Sequence, residues 1–235
     1  IQRAVEKDGK TTWQDVLELK DIASPMKVSS NHYAYDGPPY NGSSTDLLSM
    51  LDVPEDGKYR LQMNDLFGGT RDNPGSIYQL VIRPATHDFA LTGWAKHIEL
   101  RNGDRNALSK PVALRPGATL ALEIGAFRRD GFAGPIKLLV SGLPDGVTAQ
   151  TIDIAAGQTA GTVLLTADVK APRGMGSLQI SGQAEIDGQT CTRVCQLASM
   201  AWPIRDHWAE FPRPRLLTHV PVSVCDSEPA TITIE

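Results

Sequence analysis

The densest set of groups able to recognise a ligand lies between Asn31 and Asn41, in Asn-His-Tyr-Ala-Tyr-Asp-Gly-Pro-Pro-Tyr-Asn. Tyr33, Tyr35 and Tyr40 offer flat apolar faces. His32 and Asp36 place hydrogen-bonding groups beside them. A sugar ring needs both: its apolar face stacks on an aromatic, and its hydroxyls bond to carboxylates and ring nitrogens. These tyrosines also have a plainer use, pinning a long loop to a sheet. The loop runs from Ala23 to Asp46, a length that in a compact domain goes with function or with structure of its own. His32, Tyr33, Tyr35, Asp36 and Tyr40 are therefore the expected ligand-binding set, with a polysaccharide or a surface partner as ligand.

Asn102-Gly-Asp-Arg-Asn106 presents oxygen atoms at alternate positions, from Asn102, Asp104 and Asn106. Ca²⁺ accepts that spacing, which makes these three the candidate metal ligands. One carboxylate with two amides supplies little charge, and Arg105 opposes a cation, so a polar turn is the competing reading. Asp65, Asp72 and Asn73 bracket Gly68-Gly69-Thr70-Arg71 and read as turn formers whose side chains cap their own backbone. No catalytic residue is expected. The chain carries no Gly-x-Ser-x-Gly elbow, no His-Glu-x-x-His and no phosphate loop. His32, His87, His97, His207 and His219 are scattered among turns and strand ends.

Cys191 and Cys195 fall within one strand-like stretch, Gln-Thr-Cys-Thr-Arg-Val-Cys-Gln. Four residues of extended chain span ~13 Å, too far for a disulfide, which needs Cα atoms within about 7 Å. Cys225 could reach either one only if the tail folds back, and one thiol would remain. The spacing does not fit a zinc knuckle.

Of 235 residues, 41% are hydrophobic and 21% charged, which places the chain among globular proteins. The formal net charge of −4 comes without a dense basic patch, so nucleic acid is not an expected partner. No apolar run approaches the ~20 residues that a spanning helix needs, and no membrane insertion is expected. Ile1 opens the chain directly on strand-like sequence. We expect a segment of a longer chain, with any signal peptide or anchor upstream.

The elements that must position these groups read as strands throughout. Asp8-Gly9 and Asp187-Gly188 are hairpin signals, because both residues tolerate the positive φ of a tight turn. In residues 1–84 we expect strands at Ile1–Val5, Thr11–Leu19, Lys58–Asn64 and Ser76–Arg83, with Asp46–Val53 also extended. Tyr59, Leu61 and Met63 alternate with polar neighbours, the pattern of a half-buried strand. From Phe89 the expected strands are Phe89–Leu91, Ile98–Arg101, Ser109–Leu114, Thr119–Phe127, Ile136–Val140, Thr148–Ile154, Gly161–Ala167, Ser177–Ile186 and Gln189–Cys195. Leu120, Leu122, Ile124 and Ala126 form an inner row. Short strands at this spacing predict a two-sheet sandwich. Residues 197–235 hold Trp202 and Trp208 among prolines and read as an extended arm packing back on the domains. Val220–Val224 and Ala230–Ile234 are its candidate edge strands.

Pro54–Gly68 followed by Ser76–Arg83 resembles the closing strands of a bacterial pre-peptidase C-terminal domain, a jelly-roll-like sandwich. The matching residues are Gly57, Tyr59, Leu61, Asp65, Tyr78 and Leu80. The early strands of that module have no counterpart here. Residues 88–196 resemble the immunoglobulin-like sandwich that often follows it. The signals are Asp88-Phe89-Ala90-Leu91, Gly131-Phe132-x-Gly134-Pro135-Ile136, Gly142-Leu-Pro-Asp-Gly-Val147, Ile154-Ala-Ala-Gly157 and Ala171-Pro-Arg-Gly174. The inter-sheet cysteine pair of antibody domains is missing. The resemblance implies an all-β protein of two β-sandwich domains, residues 1–84 and 88–196, with the C-terminal arm at 197–235. It implies an extracytoplasmic, non-catalytic accessory module of a larger exported protein that meets a polysaccharide, a surface protein or neighbouring domains of its own chain. The alternative is a structural spacer or protein–protein interaction module without a small ligand.

Overall fold

A computed structural model describes residues 1–20, 46–63, 77–96, 112–198 and 215–225. Among these, all regular structure is strand: the protein is all-β. Two compact units divide between Thr86 and His87.

The first unit holds a three-stranded antiparallel sheet, ordered β2 (Lys10–Asp15), β1 (Gln2–Lys7), β3 (Tyr59–Arg60). Asp8 (φ 52°) and Gly9 (φ 72°) turn β1 into β2, as their types predict. Three expected strands differ. Asp46–Val53 is not strand, and the strand around Tyr59 shrinks to two residues. Residues 77–83 carry strong β-formers yet lie in no strand. A strand exists only through pairing, and residues 77–82 pair with none of the described strands. Propensity marks a segment able to pair but supplies no partner.

The second unit holds ten strands. They are β4 (Asp88–Ala95), β5 (Val112–Leu114), β6 (Thr119–Arg129), β7 (Lys137–Ser141), β8 (Val147–Ile152), β9 (Ala160–Ala167), β10 (Gly174–Ile186), β11 (Gln189–Ala198), β12 (Leu216–Leu217) and β13 (Val220–Val224). One layer runs β4-β6-β9-β8, all antiparallel. The other is built on β10, which pairs with β7, with β11 and with β13. β11 joins the two layers. Its first residues pair with β10 up to Val194, and then Cys195–Leu197 run parallel to Leu91–Gly93 of β4. The layers face each other. A side chain added at Gly182 of β10 would strike Leu91 and Phe89 of β4, and one at Gly161 of β9 would strike Leu138 of β7. Gly182 is thus required by close approach of the two layers.

The core between them is apolar and continuous. Ile124, Ile136, Ile154, Val163, Leu165, Leu178, Ile180 and Val222 are fully buried. In β6 the alternation places Leu122, Ile124 and Ala126 inward, with Leu120 partly covered. Trp94 points to the opposite face of β4 and packs with Ala198, Phe127 and Leu216 in a small second cluster. Among the described residues, Thr92 is the buried polar side chain, and its hydroxyl donates to Gln196 O at 3.0 Å.

The tail contributes more than an edge. β13 pairs antiparallel with residues 174–178 of β10 and parallel with β5. Val220, Val222 and Val224 belong to the main core. Each buried valine contributes about 1.5–3 kcal/mol. Val222→Ala should therefore lower the unfolding free energy by about 2 kcal/mol, whereas Met175→Ala, at an exposed site beside β13, should change it by less than about 0.5 kcal/mol. Urea titration of both variants checks this. Equal effects would remove β13 from the folded core.

Candidate functional site

The expected ligand residues His32, Tyr33, Tyr35, Asp36 and Tyr40 lie outside the described residues, as do the candidate Ca²⁺ ligands Asn102, Asp104 and Asn106. Trp202 and Trp208 lie outside them as well. Among the described residues, no three His, Cys, Asp or Glu side chains gather as a metal site would require.

The most connected charged group of the second unit is Arg128, near the end of β6. Its guanidinium donates to Gln158 O (3.0 Å), Gly134 O (2.6 Å) and Ala155 O (2.9 Å). It also lies 5.3 Å from the centre of the Phe132 ring, which stacks on Phe89 at 5.6 Å. Asp130 (φ 50°) and Gly131 (φ 82°) make the turn that carries Phe132 back under Arg128. Partial burial lowers the pKa of Arg128 from its usual value, yet a guanidinium remains charged at any physiological pH. Its donors are spent on backbone carbonyls. Arg128 is a clamp on two loops.

An open depression of about 590 Å³ lies where β10 begins and β13 ends. Arg173, Gly174, Met175, Ser223, Val224 and Cys225 line it. Cys225 is exposed there, with its Sγ 3.7 Å from Ser223 Oγ. The backbone N–H of Cys225 donates to Leu114 O at 2.9 Å, fixing the position of the thiol. This grouping had no local signal in the sequence, because residues 173–175 and 223–225 meet only through the β10–β13 register.

All three cysteines are free thiols. Cys191 and Cys195 share β11, the arrangement that excluded a bond between them. Cys195 is fully buried, and loss of solvation pushes its pKa far above the ordinary thiol range. Cys191 is half-buried.

Three further charged contacts of this unit are surface pairs. His87 Nδ1 meets Asp187 at 3.1 Å, Arg193 meets Asp88 at 2.9 Å, and Lys96 meets Glu123 at 3.4 Å. Exposed pairs of this kind contribute about 0–1 kcal/mol. His87 precedes β4 and His219 precedes β13, the strand-end positions read from sequence.

On the first unit, one face of the sheet carries a connected polar row. Arg60 Nε donates to Gln2 Oε1 at 2.6 Å, and Gln2 Nε2 donates to Asp15 at 2.7 Å. The Arg60 guanidinium also stacks 4.3 Å from the Trp13 ring centre. On the other face Arg3 pairs with Glu55, and the Tyr59 hydroxyl donates to Glu55 O at 2.7 Å. These contacts fasten β3 and the 55–57 turn to the hairpin. Trp13 and Arg60 stand 47 positions apart, so spacing alone could not have joined them.

No family model matches the chain, and no curated protein matches it.

Two outcomes follow from these groups. Arg128→Ala should destabilise the second unit by about 2–3 kcal/mol, because three carbonyls lose a charged donor. Arg128→Lys should recover little, since an ammonium cannot reach three separated acceptors in one plane. Urea unfolding of the two variants measures both. For the thiols, native-state labelling should proceed in the order Cys225, Cys191, Cys195, with Cys195 reacting only on unfolding. Raising the Cys195 pKa contributes stability that is complete below the ordinary thiol pKa of about 8.5. It declines above that pH, because the unfolded chain then releases a proton that the folded chain keeps. Stability measured between about pH 8 and about pH 10 should fall less steeply for Cys195→Ala than for the parent.

Proposed function

We propose that this chain is a non-catalytic accessory module of a larger exported protein, an immunoglobulin-like sandwich preceded by part of a pre-peptidase C-terminal-like domain. One observation carries the reading. The layer β4-β6-β9-β8 faces a layer containing β7-β10-β11, and β4 also runs parallel to the end of β11. This is the strand order of a seven-stranded immunoglobulin-type sandwich. The described interior of that sandwich is apolar, and Arg128 directs its donors to backbone carbonyls. Such a body works through its surface and its long loops. The loop holding His32, Tyr33, Tyr35, Asp36 and Tyr40 is the recognition element in this reading, and its ligand is a polysaccharide or a cell-surface partner outside the cytoplasm.

A second reading, a spacer or protein–protein interaction module, is favoured by one feature of the first unit. Ile77, Tyr78, Leu80, Val81 and Ile82 are all exposed. An apolar run of this kind marks protein contact more often than sugar contact.

A glycan and polysaccharide array, run in Ca²⁺ and again in EDTA, separates the two. The first reading expects binding by the parent chain and its loss in a folded Tyr33→Ala, Tyr35→Ala variant. Loss in EDTA would add a structural Ca²⁺, with Asn102, Asp104 and Asn106 as the ligands to test. No binding under either condition would remove the polysaccharide reading and leave the second.

A further inference from the structure

The segment Ile77-Tyr-Gln-Leu-Val-Ile82 contains six residues, five of them large and apolar, with no charge and no proline. The apolar side chains range from 51% exposed at Leu80 to 90% at Ile77. Together they present on the order of 500–700 Å² of apolar surface, at or beyond the roughly 300–600 Å² of the largest patch on an ordinary monomer. Both faces of the extended segment are apolar: Ile77 and Val81 on one, Tyr78, Leu80 and Ile82 on the other. That pattern belongs to a strand covered on both sides.

Among the described residues of the unit, none covers it. None of its described residues is buried, and every residue of β2 is exposed. Ordering a chain costs about 1–2 kcal/mol per residue. Burying the apolar faces of 77–82 against a partner would offset part of that cost.

We propose that Ile77–Ile82 is a self-association strand, pairing antiparallel with the same segment of a second copy of this chain about a two-fold axis. The sequence of the segment is self-complementary in that arrangement. With the axis through Gln79, Ile77 lies opposite the second copy's Val81, and Tyr78 lies opposite its Leu80, so each facing pair shares one face of the ribbon. The β-branched pair of Ile77 with Val81 is a favourable cross-strand combination, and Tyr78 with Leu80 sets an aromatic ring against an aliphatic side chain. No charge in the segment meets a like charge, and Arg83 comes opposite a glycine, Gly75 of the second copy. The contact is isologous, so it closes at two copies and does not propagate into a fibre. The proposal is independent of sugar binding at the 31–41 loop.

Sedimentation of the full chain over a dilution series, with hydrogen exchange along the same series, tests it. The expected result is a doubling of mass at high concentration, with amide protection at 77–82 that grows with concentration. Val81→Pro removes a ladder donor and should weaken the dimer at least tenfold while far-UV circular dichroism stays unchanged. Leu80→Lys puts two ammonium groups on one face as diagonal neighbours across the axis, about 7–8 Å apart, without altering the backbone, and serves if the proline disturbs the fold. A chain that stays monomeric at every concentration would overturn the proposal. So would a dimer indifferent to both substitutions, or protection at 77–82 that does not depend on concentration, since the segment would then be covered within its own chain.

Discussion

A β-strand has two hydrogen-bonding edges, and the second unit is organised by how β10 fills them. β10 is thirteen residues long, more than any one neighbour spans. β7 and β11 overlap along it at residues 181–183, so they occupy opposite edges. β11 leaves after Val194 to join β4, and the pairing of β10 below residue 179 would end there. β13 takes up residues 174–178 instead. Unpaired backbone groups inside a packed sheet are costly. The departure of β11 and the return of the tail are therefore two halves of one solution. The first ties the layers together, and the second restores the ladder that this opens.

Close packing follows from the same crossover. Where β10 passes beneath β4, Gly182 leaves room for Leu91, Phe89 and Ile136. Phe89 in turn stacks on Phe132, and Phe132 lies under Arg128. One column of contacts thus runs from the middle of β10 through β4 to the loops that Arg128 holds. Gly142 has the same kind of constraint from the other direction. Its φ of 76° lies in the left-handed region, and a Cβ there would collide with the carbonyl of Ser177. Only glycine meets both conditions.

Local signals were legible in the sequence, and non-local ones were not. Asp8-Gly9 and Asp187-Gly188 marked hairpins because the turn type depends on the two residues that form it. Alternation placed β6 correctly, because inward and outward positions are set by the strand's own period. The fate of residues 76–83 was unreadable for the opposite reason, since a β-prone segment becomes a strand only when another backbone accepts it. The tail was read as an arm with edge strands, yet Val222 is in the core. That difference depends on β11 leaving β10 at Val194, an event that no residue in the tail records. The candidate residues of the 31–41 loop and of Asn102–Asn106 rest on composition and spacing and lie outside the described residues. The grouping of Met175, Ser223 and Cys225 could not be read that way, because it exists only through strand register.

β13 holds positions in the middle of the core, and its parallel partner β5 lies more than a hundred residues earlier. On the ribosome, every other described strand of the sandwich emerges before the one that fills the ladder beside β10. Until then a nascent chain exposes that unpaired edge together with the hollow meant for Val220, Val222 and Val224. Pairings this distant are also slow to form. The interval between synthesis of β10 and docking of β13 is therefore when this protein is most open to capture by a chaperone or to pairing with the wrong strand.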